Sequence, residues 1–215
     1  MNKFLQFFAI ILLSISPLYG QIECIVSGPP AIIQEISDKE ISNYVTKITN
    51  RLAKGITTIV YYDPCQDARS SPPEQTIILS TGLVAMFDNE ESLAAVIAHE
   101  INHIQSMDKY PTTIGVEIIS DLRSVKLLEK AKYNVAGVTD SFIALGALEN
   151  QQILLLKKLL GNDIDISGDA SHPPAQDRLK IVNEMISMVK NKRKYADKKE
   201  YLRIKQRIIN VQHFD

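Results

Sequence analysis

Five consecutive residues, His99-Glu100-Ile101-Asn102-His103, are of a type and spacing that could do chemistry as a unit. On a helix, histidines at i and i+4 project from one face a turn apart, so both imidazoles can reach one metal ion. Glu100 follows the first histidine, which sets its carboxylate beside the coordination position a catalytic metal leaves open. There it can take a proton from water whose pKa zinc lowers to about 7. The pattern therefore points to one Zn2+ ion with a general base built in. Chance produces it roughly once in two hundred chains of this length, so two histidines that merely share a helix is the weaker reading.

A catalytic zinc needs three protein ligands and an open position. A third histidine in the metzincin manner would require Gly at 106 and His at 109, where the chain has Ser106 and Lys109. Downstream, Glu117-Ile118-Ile119-Ser120-Asp121 puts two carboxylates on one helical face. Glu117 is the expected third ligand, with Asp108 and Glu129 as the fallback carboxylates. Asp121 is expected to accept the other ring N–H of a ligand histidine, most naturally His99, and so to fix its tautomer. Measured back to a shared turn near Pro111, His103 and Glu117 each lie roughly 7–8 Å away along a helix, so an antiparallel pair brings them level.

The elements that must position these residues are legible in the hydrophobic spacing. Ile41, Tyr44, Val45, Ile48 and Leu52 mark an amphipathic helix over 37–54, opened by a Ser37-x-x-Glu40 capping box and stopped at Gly55. Thr57–Tyr62 and Thr76–Ser80 read as two strands of one small sheet, with "DPCQDARSSPPEQ" as a loop between them. A second capping box, Asp88-x-x-Glu91, opens the helix that carries HEINH. Further helices are expected over 113–132, 141–160 and 175–210, the last two joined by the polar loop "GNDIDISGDASHPP". The expected class is α+β, mostly helical with a small β-sheet. The basic run Lys190 to Glu200 reads as a solvated helix face.

Residues 1–20 stand apart. Lys3 is their only charge, "FLQFFAIILL" is an apolar run of about ten residues, too short for the roughly 20 that span a bilayer, and a small residue, Gly20, ends the segment. They read as a secretory signal peptide, with residues 21–215 as a single mature domain exported to a periplasmic or extracellular space and carrying no transmembrane segment. The chain has 24 basic and 25 acidic residues. Without a strong positive field, nucleic acid is not an expected partner. Cys24 and Cys65 could pair in an oxidising compartment, a bridge worth roughly 4 kcal/mol in the chain-entropy account, or remain two thiols.

"STGLVAMFDNEESLAAVIAHEINH" (80–103), "EIISDLRSVKLLEKAKYNV" (117–135) and "SHPPAQDRL" (171–179) together resemble the HtpX-like and CAAX prenyl protease type I family of zinc metalloendopeptidases, which are gluzincins. The resemblance implies a zincin-like domain that hydrolyses peptide bonds, with His99, His103 and Glu117 as ligands and Glu100 as base. It also implies a role beside the zinc for His172, as donor to the tetrahedral intermediate or as a removable ligand at rest. Tyr61, Tyr62 and Tyr133 are the competing hydroxyl donors. Arg178 is expected to orient His172 or an acidic partner. The chain departs from the family in the thirteen residues that separate His103 from Glu117, where several tens are usual, and in Ile119-Ser120-Asp121 for Glu-Ala-Asp. The expected substrate is a polypeptide bound extended along Thr76–Ser80, if that strand is an edge. Two other readings stay open: a non-hydrolytic, zinc-stabilised binding or chaperone module of the cell envelope, and a zinc hydrolase acting on a non-peptide amide. Sequence leaves the oligomeric state open.

Overall fold

A computed structural model of the chain describes residues 33–106, 114–160, 174–189 and 193–211. The signal-peptide reading, Cys24, Asp108, Pro111 and His172 with most of its loop lie outside the described residues.

The first helix, α1 (Lys39–Leu52), buries the apolar face expected of it: Ile41, Val45 and Ile48 are fully enclosed. Its cap is Asp38, not Ser37. The Asp38 carboxylate accepts from the amides of Glu40 at 3.0 Å and Ile41 at 3.3 Å. An anion at the positive end of the helix dipole does this better than a hydroxyl one residue further out. Past the helix, Gly55 takes a φ of 79°, which a side chain would resist.

Three strands follow, β1 (Thr57–Tyr61), β2 (Ala68–Ser71) and β3 (Thr76–Ser80), in the spatial order β1-β3-β2. The expected strands are present in one sheet, but β3 is its centre, parallel to β1 and antiparallel to β2. Thr76–Ser80 is therefore not an edge, and the expectation that substrate pairs along it is overturned. Its composition explains the placement. Ile77 and Leu79 on one face and Thr76 and Ser80 on the other are all buried, as suits a strand flanked on both sides. The polar Ala-Arg-Ser-Ser of β2, read from sequence as loop, takes the margin. Its hairpin to β3 closes through the Gln75 amide on the Pro72 carbonyl at 3.1 Å, with Gln75 at a φ of 49°.

A short helix, α2 (Thr81–Met86), leaves β3 directly, capped by the Ser80 hydroxyl, which accepts from the Leu83 amide and donates to the Cys65 carbonyl at 2.6 Å. The loop 63–65 presses on this helix so closely that a Cβ at Gly82 would stand 2.1 Å from the Pro64 carbonyl oxygen. Cys65 in that loop is disulfide-bonded.

The centre of the molecule is α3 (Glu90–Ser106). Leu93, Ile97 and Ile101 are fully buried, and the helix packs against β2 and β3 on one side and against α4 (Ile114–Lys130) and α5 (Ala136–Leu160) on others. Asn89, not Asp88, caps it, its Oδ1 accepting from the Ser92 amide at 2.8 Å and the Ser92 hydroxyl at 2.9 Å. Glu91 instead reaches across to the Ala196 amide at 2.6 Å. The α4 helix ends where Lys132 turns to a φ of 63°. The α5 helix begins five residues before its expected start, because Asn134 Oδ1 accepts the Ala136 amide at 3.0 Å and Gly137 lets the first turn touch Glu91 of α3.

Two further helices, α6 (Ala175–Met188) and α7 (Lys198–Val211), complete the described chain. The α7 helix buries Tyr201, Ile204 and Ile208. Tyr201 donates toward the Val84 and Phe87 carbonyls at the end of α2, and Lys205 donates to Phe87 at 2.8 Å. Glu200, Arg203 and Arg207 face α1, in the pairs Lys47–Glu200, Arg203–Glu40 and Arg207–Asp38. Arg203, Lys205 and Arg207 of α7 are thus matched by acids. The protein is α+β and mostly helical, with one three-stranded sheet among the described residues. No described helix is long and apolar enough to cross a membrane.

The contact at Gly82 yields a stability test. Gly82→Ala should lower the unfolding free energy by about 1–3 kcal/mol, since backbone and not a flexible side chain stands in the way. An unchanged urea or thermal midpoint would mean that the 63–65 loop yields without cost.

Candidate metal centre

HEINH lies in the penultimate turns of α3, and Glu117 and Asp121 lie in the first turns of α4. The two helices run antiparallel across the short connection. His103 faces Glu117 and His99 faces Asp121, so a step of four residues back on α3 matches a step of four forward on α4. Asn102 fastens the pair, its amide donating to the Ala98 carbonyl at 2.7 Å and to the Ser120 carbonyl at 3.4 Å. Thirteen intervening residues are thus enough to set a carboxylate level with the second histidine.

Nε2 of His99 and Nε2 of His103 are 2.8 Å apart, with Glu117 Oε2 3.3 Å from the first and Oε1 3.2 Å from the second. His99 places its Nδ1 2.8 Å from Asp121 Oδ1. A carboxylate accepts, so the ring proton sits on Nδ1 and Nε2 turns a lone pair to the cluster. Ring lone pairs and a carboxylate directed at one point repel one another unless a cation lies among them. Bonds of about 2.0 Å to a tetrahedral zinc set ligand atoms about 3.3 Å apart, which is the separation Glu117 keeps from both rings. Two imidazoles and one carboxylate, beside a cleft, form the donor set of a catalytic site. The three residues therefore fit a zinc ion, and among the described residues they are the one group of histidine, cysteine and acid side chains close enough to hold a metal. Glu129 is not part of it.

Burial and charge compete at these groups. Burial alone would depress the basicity of His99, but hydrogen bonds to Asp121 and Glu117 and the nearby charge of Glu100 outweigh it and push its pKa up to about 9. Burial pushes the Asp121 carboxyl upward, yet the hydrogen bonds from Arg178 and His99 prevail and hold it below the usual carboxylate range. A proton on His99 and a divalent cation between the rings are alternative answers to the same excess of negative charge. His103 Nδ1 has no hydrogen-bond partner among the described residues, so Asp121 is the one described group that orients a ligand ring.

Arg178, on the second turn of α6, closes the arrangement. Its Nε and Nη2 grip both Asp121 oxygens, at 2.8 and 2.7 Å, and Nη2 lies 3.7 Å from Glu117 Oε2. The guanidinium also covers the Phe142 ring, 4.8 Å from its centroid. Of the partners expected for Arg178, the acidic one is shown. Glu100 is buried and lines, with His99, Asp121 and Arg178, a cleft of about 280 Å³. The cleft is bounded by residues 66–68 at the entry to β2, by α3, by α5 through Val138, Phe142 and Leu145, and by Ala175 of α6. None of Tyr61, Tyr62 and Tyr133 lines it. Tyr61 donates to Asp67 at 2.7 Å and Tyr133 to Glu90 at 2.9 Å, which removes both as donors to a reacting carbonyl. The α5 wall, including Glu149, was not foreseen. Its residues carry a helical spacing that the sequence displays but no residue type that announces chemistry.

Glu117→Ala should lose most of its zinc affinity, because it leaves a three-ligand site with two. Asp121→Asn should weaken zinc by about 10–100-fold, as for other partners of ligand histidines. Titration with a chelator of known affinity measures both. Full zinc occupancy in Glu117→Ala would remove Glu117 from the ligand set.

Among curated proteins no relative matches the chain. Residues 70–162 match the family model of peptidase family M48. That span runs from β2 to the end of α5 and holds His99, Glu100, His103, Glu117 and Asp121, so the part of the chain that carries the site is similar to peptidase family M48, a family of metallopeptidases.

Proposed function

We propose that the protein is an exported zinc metalloendopeptidase that hydrolyses polypeptides bound in extended form. The observation that carries this reading is the convergence of His99, His103 and Glu117 next to Glu100 in an open cleft. Zinc held by those three residues would supply Lewis acidity toward a peptide carbonyl and toward water. Glu100, buried one residue after His99, takes the proton from the attacking water and returns it to the leaving amine. Asp121, itself held by Arg178, keeps the proton of His99 on Nδ1 and the other nitrogen available for the metal. With β3 enclosed, the strand that can receive substrate is β2, the sheet margin whose entry residues line the cleft. Main-chain pairing there holds a peptide with weak regard for its sequence. His172 remains our assigned donor to the tetrahedral oxyanion, on the strength of its Ser-His-Pro segment and of the removal of Tyr61 and Tyr133 from that role. Export is supported by the apolar leader and by the disulfide at Cys65, which suits an oxidising compartment.

Glu100→Gln should keep its zinc and its fold and lose cleavage of an unfolded protein, since the carboxylate acts on water without binding the metal. Undiminished cleavage would remove Glu100 from the mechanism. Zinc-loaded wild type that cleaves nothing would favour the binding-module reading. For His172→Ala, kcat should fall by roughly 10²–10³ with KM little changed, the cost of one oxyanion donor. A rise in activity would show instead that His172 occupies the zinc at rest.

A further inference from the structure

The α5 wall of the cleft has an order of its own. Val138, Phe142, Leu145 and Glu149 follow one another at steps of four, three and four residues, which sets them on one face of the helix, and all four line the cavity shared by His99 and Glu100. The first three are apolar. Ala95 of α3, small and buried, lines the same cavity, so a side chain that enters there meets hydrocarbon from both helices.

The charges around the cavity are unevenly committed. Its lining carries four carboxylates, Asp67, Glu100, Asp121 and Glu149, and, besides His99 of the metal cluster, one basic side chain, Arg178. Asp121 holds Arg178 and His99. Asp67 accepts from Tyr61 at 2.7 Å and pairs with Arg69 at 2.9 Å. Glu100 is assigned to water. Glu149 is half-buried, and one of its oxygens accepts a long, neutral hydrogen bond from the Ala175 amide at 3.3 Å. Its negative charge is the one best placed to meet an incoming group: Arg178 feels that charge, but it spends its hydrogen bonds on the two Asp121 oxygens.

We infer that the α5 wall selects the substrate side chain lodged in the cleft, and that Glu149 favours lysine or arginine there, the aliphatic stem lying along Val138, Phe142 and Leu145 and the cationic head at the carboxylate. The inference rests on the endopeptidase reading and adds a substrate class to it: polypeptides with a basic residue close to the scissile bond. The competing role for Glu149 is purely local, as acceptor for the first amide of α6.

Zinc-loaded wild type and Glu149→Gln, matched for zinc content, digest a reduced and alkylated protein, and cut sites are mapped by mass spectrometry. Lysine and arginine should be enriched about fivefold to tenfold over leucine at one position near the cut, the preference an ion pair at a half-buried site provides. Glu149→Gln should bring that ratio close to one, and Glu149→Lys should turn it toward aspartate and glutamate. No basic enrichment in wild type would overturn the inference. So would an enrichment that survives Glu149→Gln, and so would a lowered unfolding midpoint in Glu149→Gln with the ratio unmoved, which is the signature of a cap alone. A second arm does not depend on hydrolysis. Zinc-loaded Glu100→Gln is titrated with peptides that differ only by arginine or norleucine, with and without Glu149→Gln. If wild type cuts nothing and this pair still separates by the same factor in favour of arginine, the endopeptidase reading falls while the assignment of the cleft stands. Equal affinities in this arm overturn the assignment.

Discussion

Asp121 sits between a histidine of one helix and an arginine of another, and holds both by charge-assisted hydrogen bonds of 2.7–2.8 Å. A buried carboxylate is costly without partners, so this one is stable only while α3, α4 and α6 keep their relative places. The dependence runs in both directions. The carboxylate orders the helices, and the helices give the His99 ring its one allowed orientation. Arg178 acts on the His99 ring through Asp121, so a residue some eighty positions away in sequence helps decide which nitrogen faces His103 and Glu117.

The same economy governs α3. It is at once the central core helix and the carrier of His99, Glu100 and His103. Its apolar residues Leu93, Ile97 and Ile101 fix its rotation about its own axis, because all three are fully enclosed. With that rotation set, His99 and His103 have to face α4. The short connection to α4 sets the axial register in turn. A loop of greater length would leave the matching of His103 to Glu117 to packing alone, whereas here chain connectivity contributes to it.

The chemistry was the most legible part of the sequence, because it is written in residue types. His99, Glu100, His103, Glu117 and Asp121 could be set on faces by counting, and the structure brings all five to one place. Helices with strong apolar spacing were legible too. What escaped is decided by partners distant in sequence. Asp38 and Asn89 cap their helices in place of Ser37 and Asp88, since a cap is chosen by which side chain reaches two amides once the neighbouring helices are packed. The early start of α5 depends on a missing Cβ at Gly137 against Glu91. β2 has no apolar alternation and exists because β3 offers it a free side. Glu149 became part of a cleft only when α5 was laid beside α3.

β2 is short, four residues, and is followed at once by Pro72 and Pro73, which have no amide hydrogen to donate. A sheet margin with open hydrogen-bonding groups is a hazard to its owner, because two copies of the chain can zip together along it. Here the open stretch ends in a proline pair before a stable intermolecular ladder could grow. Under the proposed function, a substrate segment held additionally by the cleft would use this margin without needing a long ladder. On the proposed reading, an edge this short would also read the folding state of whatever approaches, so that slack chain is admitted and compact protein is turned away.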